Sequence, residues 1–89
     1  MKIKKLIPKK SEENEVYDCE KMKFLIKKKE SKSKEHSHEK TEHIFLVEGK
    51  IKLFLAGKEK TIEAPVKIEI PANTKHKLIA LTEIKLLYY

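Results

Sequence analysis

Residues 35–49 read EHSHEKTEHIFLVEG and hold most of the information on fold and function. Three of the four histidines in the chain fall within nine of these residues, and a run of apolar residues then leads to Gly49. His36 and His38 are two residues apart, so both imidazoles point the same way on an extended backbone. The stretch is either a solvated polar loop or one half of a metal site whose other half lies further along the chain.

Length and composition predict a single soluble domain. The chain has 89 residues, of which 39% are hydrophobic and 39% charged, as in a small globular protein. No apolar run exceeds four residues, whereas a membrane span needs about 20. The start, MKIKKLIPKK, lacks the apolar core of a signal peptide, so we expect a cytoplasmic protein. The single cysteine, Cys19, excludes an internal disulfide and a cysteine-based zinc finger.

The net charge of +7 comes from lysine, because the chain has no arginine. The excess lies in the first 40 residues, mainly in KKKESKSK at 27–34. A basic run can bind nucleic acid, but bidentate contacts to phosphates and bases favour arginine, and aromatic residues for stacking are few. We therefore predict a solvated lysine-rich loop and no nucleic-acid partner. A composition rich in Lys and Glu and free of Gln also fits a thermophile protein.

The second half of the chain reads as short strands separated by turns. Segment 66–70 alternates strictly between apolar and polar residues, and segment 51–55 has Ile51, Leu53 and Leu55 at alternate positions, so each strand has one apolar face. Gly49 and Gly57 occupy hairpin positions, and PANT at 71–74 predicts a further turn. The predicted strands are 44–47, 51–55, 60–64, 66–70, 76–81 and 84–89.

The first half is less regular. KIKKLI at 2–7 predicts a strand that ends at Pro8, and SEENE at 11–15 predicts a loop. Segment 20–30 fits either a strand with alternate residues on one face or a short helix, and its period does not decide between them. Because no segment predicts a long helix, we expect an all-β protein, either a sandwich or a barrel.

Glu42 and His76 extend the histidine cluster at spacings that resemble the cupin family. The first cupin motif is H-x-H, three or four residues, E, six residues and G, and it is matched by His36, His38, Glu42 and Gly49. The second motif is P-x-G-x-x-H-x-x-x-N, and it is matched by Pro71 and His76. Asn73 stands in place of the inner glycine of this motif, and Ala80 in place of its final Asn.

The resemblance covers roughly residues 20–88 and implies a small cupin-type β-barrel, a double-stranded β-helix or jelly roll of about eight strands. We expect one domain at 1–89, with an N-terminal strand and loop at 1–19 and the barrel core at 20–89. In such a barrel, segments 36–38, 42–48 and 76–81 would lie side by side. The resemblance implies a divalent transition metal (manganese, iron, zinc, nickel or copper) that is bound by His36, His38, Glu42 and His76.

The residue next to Glu42 is predicted to be outside the site. His43 follows Glu42 on the same strand, so its side chain should leave by the opposite face. Lys40 and Lys75 flank the expected ligands and are interpreted as solvated surface residues. The period of two places three aliphatic residues on the same inner faces as the ligands, which predicts an apolar cavity around the metal: Ile44, Leu46 and Leu78.

We interpret the chain as a metal-binding protein and expect a metal-dependent enzyme that acts on a small organic acid, a sugar or another oxygenated compound. The alternative is a non-catalytic module that binds or senses a small molecule. No catalytic residue beyond the ligands is identified, because the sequence shows no nucleophile arrangement. We also expect a homodimer, because KIKKLI and IKLLYY are apolar terminal strands with open edges on a small domain.

Overall fold

The computed structural model describes residues 1–89 and consists of strands and connecting loops. The nine strands are β1 (Lys9–Lys10), β2 (Asn14–Cys19), β3 (Met22–Lys27), β4 (Glu42–Glu48), β5 (Lys50–Leu55), β6 (Lys58–Glu63), β7 (Val66–Ile70), β8 (His76–Ala80) and β9 (Ile84–Tyr88). All pairings are antiparallel and form a six-stranded sheet of order β1-β2-β3-β9-β4-β7 and a three-stranded sheet of order β6-β5-β8. The predicted all-β jelly-roll class is confirmed. No helix is long and apolar enough to cross a membrane.

The hydrophobic core lies between the two sheets. Five strands contribute eight buried side chains to it: Ile44, Leu46, Ile51, Leu53, Ile70, Ala80, Ile84 and Leu86. Full burial of each larger aliphatic side chain contributes about 1.5–3 kcal/mol. The predicted alternation in segments 51–55 and 66–70 is therefore correct, except that Val66 is exposed. Val66 begins β7 at the edge of the six-stranded sheet, where no neighbouring strand covers it.

The two predicted glycine turns differ in what they connect. Gly57 lies in a two-residue hairpin, because Leu55 pairs with Lys58. Gly49 instead leads from β4 in one sheet to β5 in the other, so the predicted hairpin at this position is wrong. Its φ of +100° suits glycine, and a Cβ atom there would lie 2.5 Å from the carbonyl oxygen of Glu83.

The N-terminal region differs most from the sequence prediction. Residues 1–8 form no strand, and Ile3 and Ile7 are 87% and 86% exposed. An extended segment without a neighbouring strand to pair with gains no ladder hydrogen bonds, which is why the apolar pattern at 2–7 misleads. The predicted loop at 11–15 overlaps β2, which pairs with β3 along its full length. Segment 20–30 is resolved as a strand rather than a helix.

The C-terminal strand lies inside the six-stranded sheet and not at its edge. β9 pairs with β3 on one side and with β4 on the other. The edges of this sheet are β1 and β7. The expected open edge at IKLLYY is therefore wrong, and an association of two chains cannot use it.

Candidate metal centre

Four side chains meet at one end of the space between the sheets. His36, His38, Glu42 and His76 each offer one ligand atom, and these atoms lie within 4.8 Å of one another. Glu42 is 17% exposed at its side chain and His76 is 5% exposed, whereas His38 is 49% exposed. The cluster therefore has a buried side and a side that opens to solvent.

The cluster spans both sheets, which corrects one part of the expected side-by-side arrangement. Segment 36–38 does lie beside 76–81, through a bridge between His36 and His76, but segment 42–48 belongs to the other sheet. Glu42 begins β4 in the six-stranded sheet, and His76 begins β8 in the three-stranded sheet. β4 pairs only with β7 and β9, and β8 pairs with β5. The ligand strands consequently face each other across the sandwich, because the chain changes sheets between them.

Backbone hydrogen bonds position the two histidines of the loop. The amide of His36 donates to the carbonyl of His76 at 2.9 Å, and the amide of His76 donates back at 2.8 Å. Two residues further on, the carbonyl of His38 accepts from the amide of Asn73 at 2.6 Å. Asn73 has a φ of +58°, a conformation that Asn tolerates better than most residues. Asn73 thus replaces the motif glycine without loss of the turn, as the sequence predicts.

The hydrogen bonds of the imidazoles fix their tautomers. Nδ1 of His36 lies 2.6 Å from the carbonyl oxygen of Lys34, and Nδ1 of His76 lies 2.9 Å from that of Thr74. A carbonyl only accepts, so each Nδ1 carries a proton, and in the neutral imidazole Nε2 then keeps its lone pair. Metal-binding histidines typically have this arrangement, in which one ring nitrogen donates a hydrogen bond to a carbonyl group and the other faces the metal.

The buried polar atoms of the cluster lack partners within the protein. Nε2 of His76 and Oε2 of Glu42 are buried without a hydrogen bond, although they lie 3.3 Å apart. Nε2 of His38 approaches the same Glu42 oxygen at 3.0 Å. Buried polar atoms without partners are rare in proteins, and three imidazole lone pairs with one carboxylate form a donor set for a divalent transition metal. The residues fit such an ion.

His43 lies on the other face of β4, as predicted. Its ring stacks on Tyr89 with a centroid separation of 4.7 Å, and its Nδ1 lies 3.8 Å from an oxygen of Glu69. These contacts occupy the outer surface of the six-stranded sheet. Lys40 and Lys75, which were predicted to be solvated, are exposed.

A cleft of about 1000 Å³ leads to the cluster, and the four candidate ligands form part of its wall. Ile44, Leu78 and Leu86 supply apolar wall next to them. The predicted inward orientation of Ile44 and Leu78 is confirmed, while Leu46 belongs to the buried core. A mainly apolar recess with a few converging polar groups is typical of small-molecule sites.

Three residues that line the cleft were not predicted from the sequence: Lys23, Lys27 and Tyr88. Burial lowers the pKa of Lys27, while Glu13 acts in the opposite direction, and the ammonium donates to Oδ1 of Asn14 at 3.1 Å. Burial and then the nearby Glu42 carboxylate raise the pKa of the Tyr88 hydroxyl. Alternation along 22–27, interpreted as a strand, gives Met22, Phe24 and Ile26 one apolar face and would have placed both lysines on the opposite, outer face. In the structure Leu25 packs against the core, so Lys23 and Lys27 are on the inner face instead.

Comparison with known proteins identifies the family. Residues 22–88 match the model of the cupin domain, and the chain belongs to the cupin family. No curated protein matches the sequence. The match begins at the start of β3 and ends with β9, so it contains all four candidate ligands.

Solved structures support the fold at low sequence identity. An RmlC-like cupin from Shewanella frigidimarina superposes with a TM-score of 0.70 at 19% identity, over 75% of this chain and 60% of that one. The cupin domain of Drosophila melanogaster CENP-C gives a TM-score of 0.76 at 11% identity, over 93% and 73%. Bacillus subtilis oxalate decarboxylase, which has Mn(II) centres, gives 0.75 at 12% identity, over 93% of this chain and 26% of the enzyme.

Proposed function

We propose that the chain is a metal-binding cupin in which His36, His38, Glu42 and His76 hold a divalent transition metal. The observation that carries the proposal is the convergence of four ligand atoms within 4.8 Å. Two of the imidazoles are fixed by carbonyl groups in the tautomer that leaves Nε2 free. Manganese, iron, zinc, nickel and copper all suit three imidazoles and a carboxylate.

The chemistry of the centre follows from its surroundings. A divalent metal held by the four residues would supply Lewis-acid chemistry toward an oxygen atom of a bound compound. Lys34 and Thr74 orient two imidazoles through their carbonyl groups. Ile44 and Leu78 exclude water from the inner wall, and the exposed side of His38 gives access from the cleft.

We infer that the protein is a metal-dependent enzyme that acts on a small organic acid, a sugar or another oxygenated compound. The size and partly apolar lining of the cleft support a small molecule. The structural similarity to a manganese decarboxylase is consistent with it. The alternative is a non-catalytic binding module, which the aliphatic wall at Ile44, Leu78 and Leu86 also suits. Retention of a bound compound without turnover would favour the alternative.

The metal content of two variants from the same loop tests the proposal. The protein is stripped of metal with a chelator, reloaded with manganese, iron or zinc, and dialysed. Its metal content per chain is then measured by elemental mass spectrometry. We expect roughly one ion per chain in the wild type and a large loss in His36→Ala, because a ligand is removed. Ser37→Ala changes the neighbouring residue of the loop and should keep the ion. Equal metal content in the two variants would contradict the proposal.

We also propose that the protein is a homodimer that associates through the outer face of the six-stranded sheet. Apolar side chains form a row across four strands of this face, where each is the register partner of the next: Tyr17, Phe24, Leu87 and Phe45. All four are partly exposed, and contiguous apolar surface of this kind often marks an interface. Sedimentation of the wild type as a dimer and of Leu87→Glu as a monomer is the expected result. A monomeric wild type at micromolar concentration would reject the proposal.

A further inference from the structure

We infer that the cleft binds a small carboxylate, which accepts a hydrogen bond from Tyr88 and faces the ammonium group of Lys23. This inference rests on the proposed metal centre and specifies the chemical class of its ligand. It depends on two cleft residues that play no part in holding the metal.

Tyr88 presents a hydrogen-bond donor without an acceptor. It pairs with Ile44 on β4 and lines the cleft together with Leu86, which precedes it by two residues on β9. Tyr88 is half-buried and has no side-chain hydrogen bond, whereas the hydroxyl of Tyr17 on the opposite face donates to Glu15. Its hydroxyl is not fully buried and can be reached from the cleft. A ligand in the cleft can supply the missing acceptor.

Lys23 is an exposed residue that adds a positive charge to the wall of the cleft. It is the register partner of Tyr88 on the neighbouring strand β3, and both residues line the cleft. Directly opposed residues of an antiparallel pair have Cβ atoms about 4.5–5.5 Å apart. Lys23 forms no ion pair with a carboxylate of the protein, in contrast to Lys67 and Lys85. Its three N–H donors are therefore available to a ligand.

The charges of the cleft favour an anion over a neutral compound. Six lysines line it against four carboxylates, one of which is the candidate ligand Glu42. The lysines are Lys21, Lys23, Lys27, Lys32, Lys34 and Lys40, and the other carboxylates are Glu13, Glu20 and Glu39. A bound divalent ion would add two further positive charges. Since Tyr88 and Lys23 both donate hydrogen bonds, the complementary group is a negatively charged acceptor, and a carboxylate has the right shape and charge.

A pair of probes of similar size, one anionic and one neutral, tests the inference. The protein is loaded with Co²⁺, whose visible spectrum responds to its ligands, and is titrated with glycolate or with its neutral amide, glycolamide. We expect glycolate to bind at least about tenfold more tightly. Tyr88→Phe and Lys23→Met should each lower the affinity for glycolate by about tenfold, because each variant loses a hydrogen bond to a charged group. The matched controls are Tyr17→Phe, on the outer face, and Lys60→Met, on exposed β6; both should bind glycolate like the wild type.

The outcomes separate this inference from the proposed function. If the wild type does not retain Co²⁺, the proposed function fails and the inference fails with it. If the ion is retained but glycolate and glycolamide bind equally, or if Tyr88→Phe and Lys23→Met bind glycolate like their controls, the inference alone is overturned. Metal content and melting temperature of Tyr88→Phe and Lys23→Met should match the wild type, since neither residue contacts the candidate ligands through a hydrogen bond.

Discussion

The two faces of β4 carry different chemistry, although their residues alternate along one strand. On the inner face, Glu42 joins the candidate metal centre, and Ile44 and Leu46 are 3% and 1% exposed. On the outer face, His43 stacks on Tyr89, and Val47 is 52% exposed. The inner face is closed by the second sheet, and the outer face has no such cover.

The comparison teaches that strand register outweighs chemical type in the assignment of a ligand. His43 is an imidazole next to the cluster and would be a common metal ligand by its chemistry. Its side chain nevertheless leaves by the outer face and contacts Tyr89 and Glu69. Glu42 is one residue earlier and faces inward, where its carboxylate joins the three histidines of the cluster.

The largest expected difference between the faces concerns stability. Leu46→Ala removes a buried side chain from the core and should lower the free energy of unfolding by about 2–5 kcal/mol. Val47→Ala, the adjacent change on the outer face, should alter it by less than about 0.5 kcal/mol. Urea unfolding of both variants measures the two effects. Equal losses would contradict the difference between the faces, and a larger loss in Val47→Ala would mean that the inner and outer faces of β4 have been exchanged.

Metal removal should have a smaller effect that is specific to the inner face. Because the ligands converge only in the folded protein, a metal at 100 times its dissociation constant stabilises it by about 2.7 kcal/mol. The melting temperature should therefore fall on chelation and return when the ion is restored. Calorimetry with and without chelator provides the measurement, and an unchanged melting curve in a sample shown to be metal-free would count against a site in the folded state.

A still smaller effect is expected from the buried lysine on the inner face. Burial lowers the pKa of Lys27 in the folded state, whereas its pKa in the unfolded chain is about 10.4. At pH values between these two pKa values, the unfolded chain binds more protons than the folded protein. Stability should consequently rise with pH in this window relative to Lys27→Met. Denaturant unfolding between pH 8 and pH 10.5 tests the slope, with Lys60→Met, an exposed lysine variant, as control. A wild type that follows Lys27→Met at every pH would contradict this account of Lys27.

Local patterns in the sequence predicted much of the structure. The motif spacing predicted four metal ligands, and the structure brings these same four residues together. The spacing is that of His36, His38, Glu42 and Gly49, with His76 after Pro71. Period-two alternation assigned Ile51, Leu53 and Ile70 to the core. These features succeed because strand geometry fixes the face of each side chain from its position alone.

Pairing between distant segments could not be predicted from the same patterns. No local feature indicates that Gly49 leads from one sheet to the other, or that β9 lies between β3 and β4. The apolar residues of 2–7 look like a strand, but they have no strand to pair with. Lys23 and Lys27 were overlooked because the more apolar face of segment 20–30, with Met22, Phe24 and Ile26, looks like the inner one. Only pairing with β2 and β9 fixes the strand and turns Leu25 and the two lysines inward.

The most direct test of the metal centre is the metal content of Glu42→Gln and His43→Gln after identical loading and dialysis. Glu42→Gln keeps the size of the side chain and removes its charge, so the bound metal should fall sharply. His43→Gln should retain nearly the wild-type amount, because its side chain lies on the outer face against Tyr89. Loss of the metal in His43→Gln with retention in Glu42→Gln would contradict the register of β4 and the proposed centre together.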